Sequence, residues 1–257
     1  MNVAIEISGH LRNYEKGFQA LNECLIQPNS HCSFYFFIHT WENLGWRTNH
    51  KNNRTEEHVG AIEKLLSPIS FEIEQNVDWD TREFMPYLRN PRHVKKTTKG
   101  EHILGMFYSI ARSSMSRIEY EKKQDFKFDA VIRYRLDIGF KDKVKIPDIN
   151  SLSQNTMLFP SSKRLLVQKK KIDGKTKNIV TSTDGLSSEG LLTDVCALSS
   201  PENMEIYASI FSNLSKIVPQ SGFRPEAILN YWLKTNNIAC VQELGDWSLI
   251  EDWEFIR

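Results

Sequence analysis

No stretch of this chain is long and apolar enough to cross a bilayer: its longest uninterrupted apolar run, Phe34 to Ile38, falls far short of the roughly 20 residues a membrane helix needs. Nor does a basic region followed by a long apolar stretch open the sequence, so we expect no secretory signal and a cytoplasmic location. Neither a G-x-G-x-x-G nor a G-x-x-x-x-G-K-S/T sequence occurs, which argues against a dinucleotide oxidoreductase or a P-loop kinase. The four cysteines, Cys24, Cys32, Cys196 and Cys240, form no C-x-x-C pair and have no histidine at zinc-ligand spacing, so they read as reduced structural thiols. A surplus of charge is missing too. Thirty-three Lys and Arg against 32 Asp and Glu leave a net charge of +1 over 257 residues, which speaks against nucleic acid as a partner and against a polybasic membrane arm.

What is present is an ordinary globular composition, 40% hydrophobic and 25% charged, without internal repeats or a linker. Val3 to Ile7 reads as a buried strand opening into a loop at Ser8-Gly9. Phe18, Leu21, Leu25 and Ile26 recur at helical spacing until Pro28, and Phe34 to Ile38 makes a second buried strand ending in His39-Thr40-Trp41. Such a β-α-β unit implies a parallel pair with both C-terminal ends on one sheet edge. A polar loop is expected over Glu42 to Arg54, a helix over Glu56 to Leu66 and a strand over Ser70 to Glu74. Residues 76 to 100, with Trp79, Pro86 and Pro91, show no period. A helix from Glu101 to Lys123 is expected to bury Leu104, Phe107, Tyr108, Ala111, Met115 and Ile118, with Glu119, Glu121, Lys122 and Lys123 at a solvated end, and one strand is expected from Asp129 to Phe140. Residues 161 to 190, rich in Ser, Lys, Gly and Thr, suggest a flexible insertion or hairpin. A strand over Val195 to Leu198, helices over Pro201 to Leu214 and Pro225 to Thr235, and a strand over Ile238 to Gln242 complete the pattern. The expected fold is a single α/β domain spanning 1–257, with a mixed sheet.

The strongest chemical signal is Ile132-Arg133-Tyr134-Arg135-Leu136-Asp137-Ile138, where strand alternation puts Arg133, Arg135 and Asp137 on one face. Buried charges need partners, and two guanidiniums suit diphosphate oxygens while the carboxylate suits a divalent cation or a sugar hydroxyl. An internal Arg-Asp ion pair at a strand end is the plain alternative. Ser8 and Gly9, between a strand and a helix, offer backbone N–H groups to a nucleotide, and Arg12 adds positive charge. His39 ends the second strand near the same edge, either as a substrate contact or as a hydrogen-bonded core histidine.

In order along the chain, Ile7-Ser8-Gly9-His10-Leu11-Arg12, Phe37-Ile38-His39-Thr40-Trp41, Met106-Phe107-Tyr108-Ser109-Ile110 and Arg133-Tyr134-Arg135-Leu136-Asp137-Ile138 resemble a family of bacterial glycosyltransferases of capsule and lipopolysaccharide gene clusters. Asp194 to Met204 and Arg224 to Leu229 look like that family's later Asp-containing strand and Pro-Glu helix start. The resemblance implies a GT-A-like (Rossmann-like) fold with a mainly parallel sheet flanked by helices. In it the Arg-x-Arg-x-Asp strand stands in place of the usual Asp-x-Asp motif, with Arg135 where the first acid would be. Asp137 is then the one acid left to hold Mn²⁺ or Mg²⁺, and arginine is the alternative way to neutralise a leaving diphosphate.

These readings lead to a transferase that moves a sugar from a nucleotide-sugar donor to a hydroxyl of a surface polysaccharide or lipooligosaccharide, a glycan or lipid-linked glycan acceptor, at the inner face of the cytoplasmic membrane. Ser8, Gly9, Arg12, His39, Arg133, Arg135 and Asp137 would bind the donor. Asp194 is the first choice of base for the acceptor hydroxyl and Glu226 the second, although Glu226 equally suits a helix dipole and Asp194 a loop-orienting role. A sugar-phosphate or phosphoryl transferase and a non-catalytic nucleotide-sugar binding protein are the alternatives. The tail from Trp247 to Arg257 is apolar and aromatic but acidic, so packing back onto the domain is expected, with at most peripheral membrane contact.

Overall fold

The structure is a computed structural model describing residues 1–45, 54–88, 98–140, 142–149, 154–160, 165–172, 175–182, 192–242, 244 and 247–249. Strands β1 (Asn2–Ser8), β2 (Ser33–Trp41) and β3 (Ser70–Glu74) pair side by side and parallel, because each is a β-branched or aromatic run connected to the next through a helix. Helix α1 (Tyr14–Leu21) continues into a π turn over Asn22–Ile26, and α2 (Val59–Leu66) follows a 3-10 turn over Thr55–His58. The long α3 (Thr98–Gln124) returns the chain to β4 (Ala130–Tyr134), which pairs parallel with the other side of β1.

Here the structure departs from the expected single strand over 129–140. β4 stops at Tyr134, the chain turns through 135–137, and β5 (Ile138–Phe140) leaves the main sheet. The Tyr134 hydroxyl donates to the Ile138 carbonyl at 2.9 Å and the Ile138 N–H donates to the Arg135 carbonyl at 3.4 Å, so the turn is closed by its own hydrogen bonds. Arg135 and Asp137 therefore sit on a turn rather than on the face of a continuous strand, and only Arg133 owes its direction to the sheet.

Strands β6 (Thr156–Leu158), β9 (Cys196–Ser199) and β10 (Ala239–Val241) extend the sheet to the order β10-β6-β9-β4-β1-β2-β3, in which β9 alone runs antiparallel. Between them in sequence, β7 (Leu165–Ile172) and β8 (Lys175–Ser182) form an antiparallel hairpin of their own. Residues 161–164, 173–174 and 183–190 of the expected insertion lie outside the described residues, as do 46–53 of the expected polar loop. The expected helix over 201–214 ends earlier, as α4 (Pro201–Ala208), and a 3-10 turn over Phe211–Asn213 leads into α5 (Leu214–Ser221). α6 (Pro225–Thr235) starts on its proline as expected. The beginning of the tail, β11 (Trp247–Leu249), pairs antiparallel with β5, and residues 250–257 lie outside the described residues.

Side-chain alternation divides the core into two layers. Val3, Ile5, Ile7, Ile132 and Tyr134 face α1 and α2, whereas Ala4, Phe37 and Val131 face α3 to α6. Glu6 falls on the second face and is fully buried, so it needs a cation: Arg117 of α3, equally buried, donates from Nε at 2.7 Å, and its Nη1 reaches Glu121 at 2.6 Å. Burial raises the Glu6 pKa although Arg117 opposes it. No described helix is long and apolar enough to cross a membrane.

Candidate functional site

The chain winds outward from β1 to β2 and β3, then crosses back to place β4 on the opposite side of β1. In an open α/β sheet such a reversal leaves a crevice beyond the C-terminal ends of the two strands, where ligands bind. A cavity of about 410 Å³ lies there, within the usual range for small-molecule sites. Ser8 and Gly9 at the end of β1, Arg12 beyond it, and Arg133, Arg135 and Asp137 at the end of β4 all line it.

The charged part of the site is tightly bound together. Arg135 grips Asp137 with two bonds, Nε to Oδ1 at 2.9 Å and Nη2 to Oδ2 at 2.5 Å, and its Nη1 lies 3.6 Å from Asp194 Oδ2. Arg12 Nη2 approaches Asp137 Oδ2 at 3.4 Å. The internal Arg-Asp pair anticipated as the plain alternative is thus formed, and it forms on the cavity wall. Burial pushes the Asp137 carboxyl up, but Arg135, Arg12 and Arg133 together outweigh burial and hold it below the usual carboxylate value. Arg133 is different. It is 1% exposed, its Nη1 donates to the Asp194 backbone carbonyl, its Nε has no partner, and among the described residues no carboxylate pairs with it.

The β1 loop is set from below. Gly9, at φ 97°, uses backbone freedom that favours glycine, and its N–H donates to Ser109 Oγ at 2.7 Å. Ser109 Oγ lies 2.8 Å from His39 Nδ1 and also donates to the His39 carbonyl at 3.2 Å, while His39 Nε2 is 3.4 Å from Glu74 Oε1. His39 is fully buried and does not line the cavity itself; it touches the lining through Ser109 to Gly9 and through its ring against Trp41. Burial lowers its pKa, with Glu74 and Glu72 opposing. Ser8 is buried, and its Oγ has no hydrogen-bond partner.

Asp194 and Glu226 do not line the cavity. Asp194 sits behind it, holding Arg135 with its carboxylate and Arg133 with its carbonyl. Glu226 is half-buried in the first turn of α6, one residue past Pro225, which does line the cavity.

Several lining residues escaped the sequence reading. His10 places Nδ1 2.8 Å from the Asn43 carbonyl oxygen, so Nδ1 carries the proton, and burial, with Arg12 and His102 adding to it, pulls its pKa down to about 4. Trp41, Trp79 and Asn76 also line the cavity, and Gly105 of α3 lets the two indoles close in: a Cβ there would meet Trp79 Nε1 at 3.3 Å and Trp41 Cζ2 at 3.6 Å. Glu101 and His102, at the start of α3, line it too, so the cavity combines charged and aromatic side chains. The strand-end position of Trp41 was a usable signal. Asn76 and Trp79 lie in a segment with no period, where no pattern pointed to a face.

No protein-family model matches the chain, and no curated protein matches it. Among solved structures, the chain is similar to mouse xyloside xylosyltransferase 1 in its apo form, at 10% identity over 93% of this chain and 84% of that one, with a TM-score of 0.40. It is also similar to a nucleoside-diphosphate-sugar pyrophosphorylase from Vibrio cholerae RC9, at 14% identity over 93% of this chain and 90% of that one, with a TM-score of 0.41.

Proposed function

We propose that the chain is a GT-A-like glycosyltransferase that binds a nucleotide-sugar in the crevice between β1 and β4 and passes the sugar to a hydroxyl of a glycan or lipid-linked glycan. The observation that carries this reading is Arg133, a buried, cavity-lining guanidinium with no carboxylate partner among the described residues. An unpaired buried charge costs several kcal/mol, and an anionic group of the ligand removes that cost. The diphosphate of a nucleotide donor matches the side chains: Arg133, Arg135 and Arg12 all line the cavity, whereas the Gly9 N–H expected to face a nucleotide is already donated to Ser109 and the His39 carbonyl. The aromatic side chains of the lining suit the flat base or the sugar ring.

In the reaction, the bond from the anomeric carbon to the β-phosphate oxygen breaks with its electrons moving onto that oxygen, where the arginines stabilise the growing charge. The acceptor oxygen forms the new bond and gives up its proton. Of the two expected bases we keep Glu226, which does not itself line the cavity but directly follows Pro225, which does; the carboxylate of Asp194 faces Arg135. A retaining reaction needs no such base. The acceptor class and its place at the inner membrane face rest on the family resemblance alone.

The test is consumption of nucleotide-sugars by the purified protein with a lipid-linked glycan acceptor. Arg133→Met, close in volume but uncharged, should lower donor affinity by about 10- to 100-fold, the equivalent of one charge-assisted bond. Release of nucleoside diphosphate supports glycosyl transfer. Release of monophosphate points instead to sugar-phosphate transfer or a monophosphate-linked donor, and binding without turnover to a carrier.

A further inference from the structure

The fold-related motif would use acidic side chains to hold a divalent cation, and the residues at this edge do not fit one. Such a cation needs carboxylate oxygens whose lone pairs are directed at it from about 2.0–2.6 Å. Both oxygens of Asp137 already accept from guanidiniums, Oδ1 from Arg135 and Oδ2 from Arg135 with Arg12 close by, and Asp194 Oδ2 faces Arg135 as well. Among the described residues, no group of three or more His, Cys, Asp and Glu side chains stands ready to coordinate a metal.

The seat between the two acids is taken by a side chain. We propose that Arg135 does the work of the divalent cation: Asp137 and Asp194 hold it as they would hold a metal, and it presents its fixed positive charge to the donor diphosphate, so the protein binds its donor without metal. This rests on the donor-site reading above. Three features of the geometry support it. Asp137 fixes the guanidinium in a two-bond fork, leaving little rotational freedom to lose when a ligand arrives. Arg135 lines the cavity and is 25% exposed, so its charge remains accessible from the ligand side. Arg133, which lines the same cavity and has no carboxylate partner among the described residues, supplies a second fixed positive charge beside that of Arg135. An arginine also keeps its charge across the whole accessible pH range.

The experiment uses the full chain and two titrations. In the first, Mn²⁺ alone is titrated and followed by the paramagnetic relaxation of water: wild type should show no saturable binding. Arg135→Ala, which uncovers Asp137 and Asp194, should gain a saturable Mn²⁺ site. In the second, UDP, GDP and ADP are titrated calorimetrically in excess EDTA and again in excess Mn²⁺. The nucleotide that binds wild type should do so equally in both media. Arg135→Ala should lose about 10- to 100-fold in EDTA and recover part of that in Mn²⁺. Arg135→Lys, which retains a charge but not the fork, should fall between and guards against loss of folding in the alanine variant. Saturable Mn²⁺ binding by wild type, or nucleotide binding that disappears in EDTA, overturns the proposal. If no nucleotide binds in either medium the donor reading fails, while the Mn²⁺ titration alone still decides whether Arg135 fills the cation seat.

Discussion

His10 shows how a single residue can look ordinary in sequence and become informative in place. Its unfolded pKa is about 6.5, and its folded value is pulled to about 4 by burial and by neighbouring Arg12 and His102. Between those values the unfolded chain binds a proton that the folded chain rejects, so stability rises with pH through this window. The contribution is complete above the unfolded value and is lost as pH falls towards the folded one. His39 and His102 move in the same direction, burial being the first cause for each. We therefore expect the melting temperature to fall steeply on acidification through that window. His10→Asn, whose amide can still donate to the Asn43 carbonyl, should flatten the slope, since each tenfold difference in proton affinity between the folded and unfolded chain is worth about 1.4 kcal/mol. Equal slopes for the two proteins would show that His10 is not the group responsible. The cavity-lining residues legible in sequence, Ser8, Gly9, Arg12, Arg133, Arg135 and Asp137, shared one property: each lay at the end of a strong apolar run or in the turn after it. His10 shared that place in the turn, but its role comes from the Asn43 carbonyl packed against it, and Asn76 offered no such marker at all.

Among the elements, α1 has an influence out of proportion to its length. Gly17 lies inside it, and a Cβ at that position would come within 1.9 Å of the Leu136 carbonyl oxygen, in the middle of the turn that carries Arg135 and Asp137. Alanine is the better helix former by roughly 0.8–1.0 kcal/mol, yet overpacking against backbone costs about 1–3 kcal/mol. Gly17→Ala should consequently destabilise the protein in urea and weaken nucleotide binding together, because the turn must move to admit the methyl group. A variant that kept wild-type affinity would mean that the turn does not depend on α1. The same turn explains the main misreading of the sequence. Ile132, Tyr134, Leu136 and Ile138 keep a period of two across residues 132–138 with no proline or glycine until Gly139, so nothing local marks the break. It is imposed by tertiary contacts: the backbone of Leu136 against α1, and the pairing of β5 with β11 instead of the main sheet. By contrast, β1 and β2 were legible as buried apolar runs and the starts of α4 and α6 from their prolines, whereas α3 was legible as a helix but not in its faces: Met115, expected inside, is exposed, and Glu121, expected in solvent, is buried against Arg117.

For the molecule as a whole, near-neutral charge and a concentrated arginine cluster belong together. Three arginines gathered at one crevice can hold a compact anion without a basic surface. A nucleoside diphosphate at 100 times its Kd should then stabilise the fold by about 2.7 kcal/mol, read as a rise in melting temperature, while duplex DNA should produce none. A comparable rise with DNA would count against a closed small-ligand site. The antiparallel strand β9 adds a consequence in time. Asp194, just before it, secures both Arg133 and Arg135 yet follows Arg133 by 61 positions. At synthesis rates of roughly 5–20 residues per second, the arginines leave the ribosome some 3–12 seconds, on that estimate, before the residue that orients them. The first four strands can assemble in that interval, but the crevice they border cannot acquire its final charge geometry until β9 slides in beside β4, so competence to bind arrives late in the life of the nascent chain.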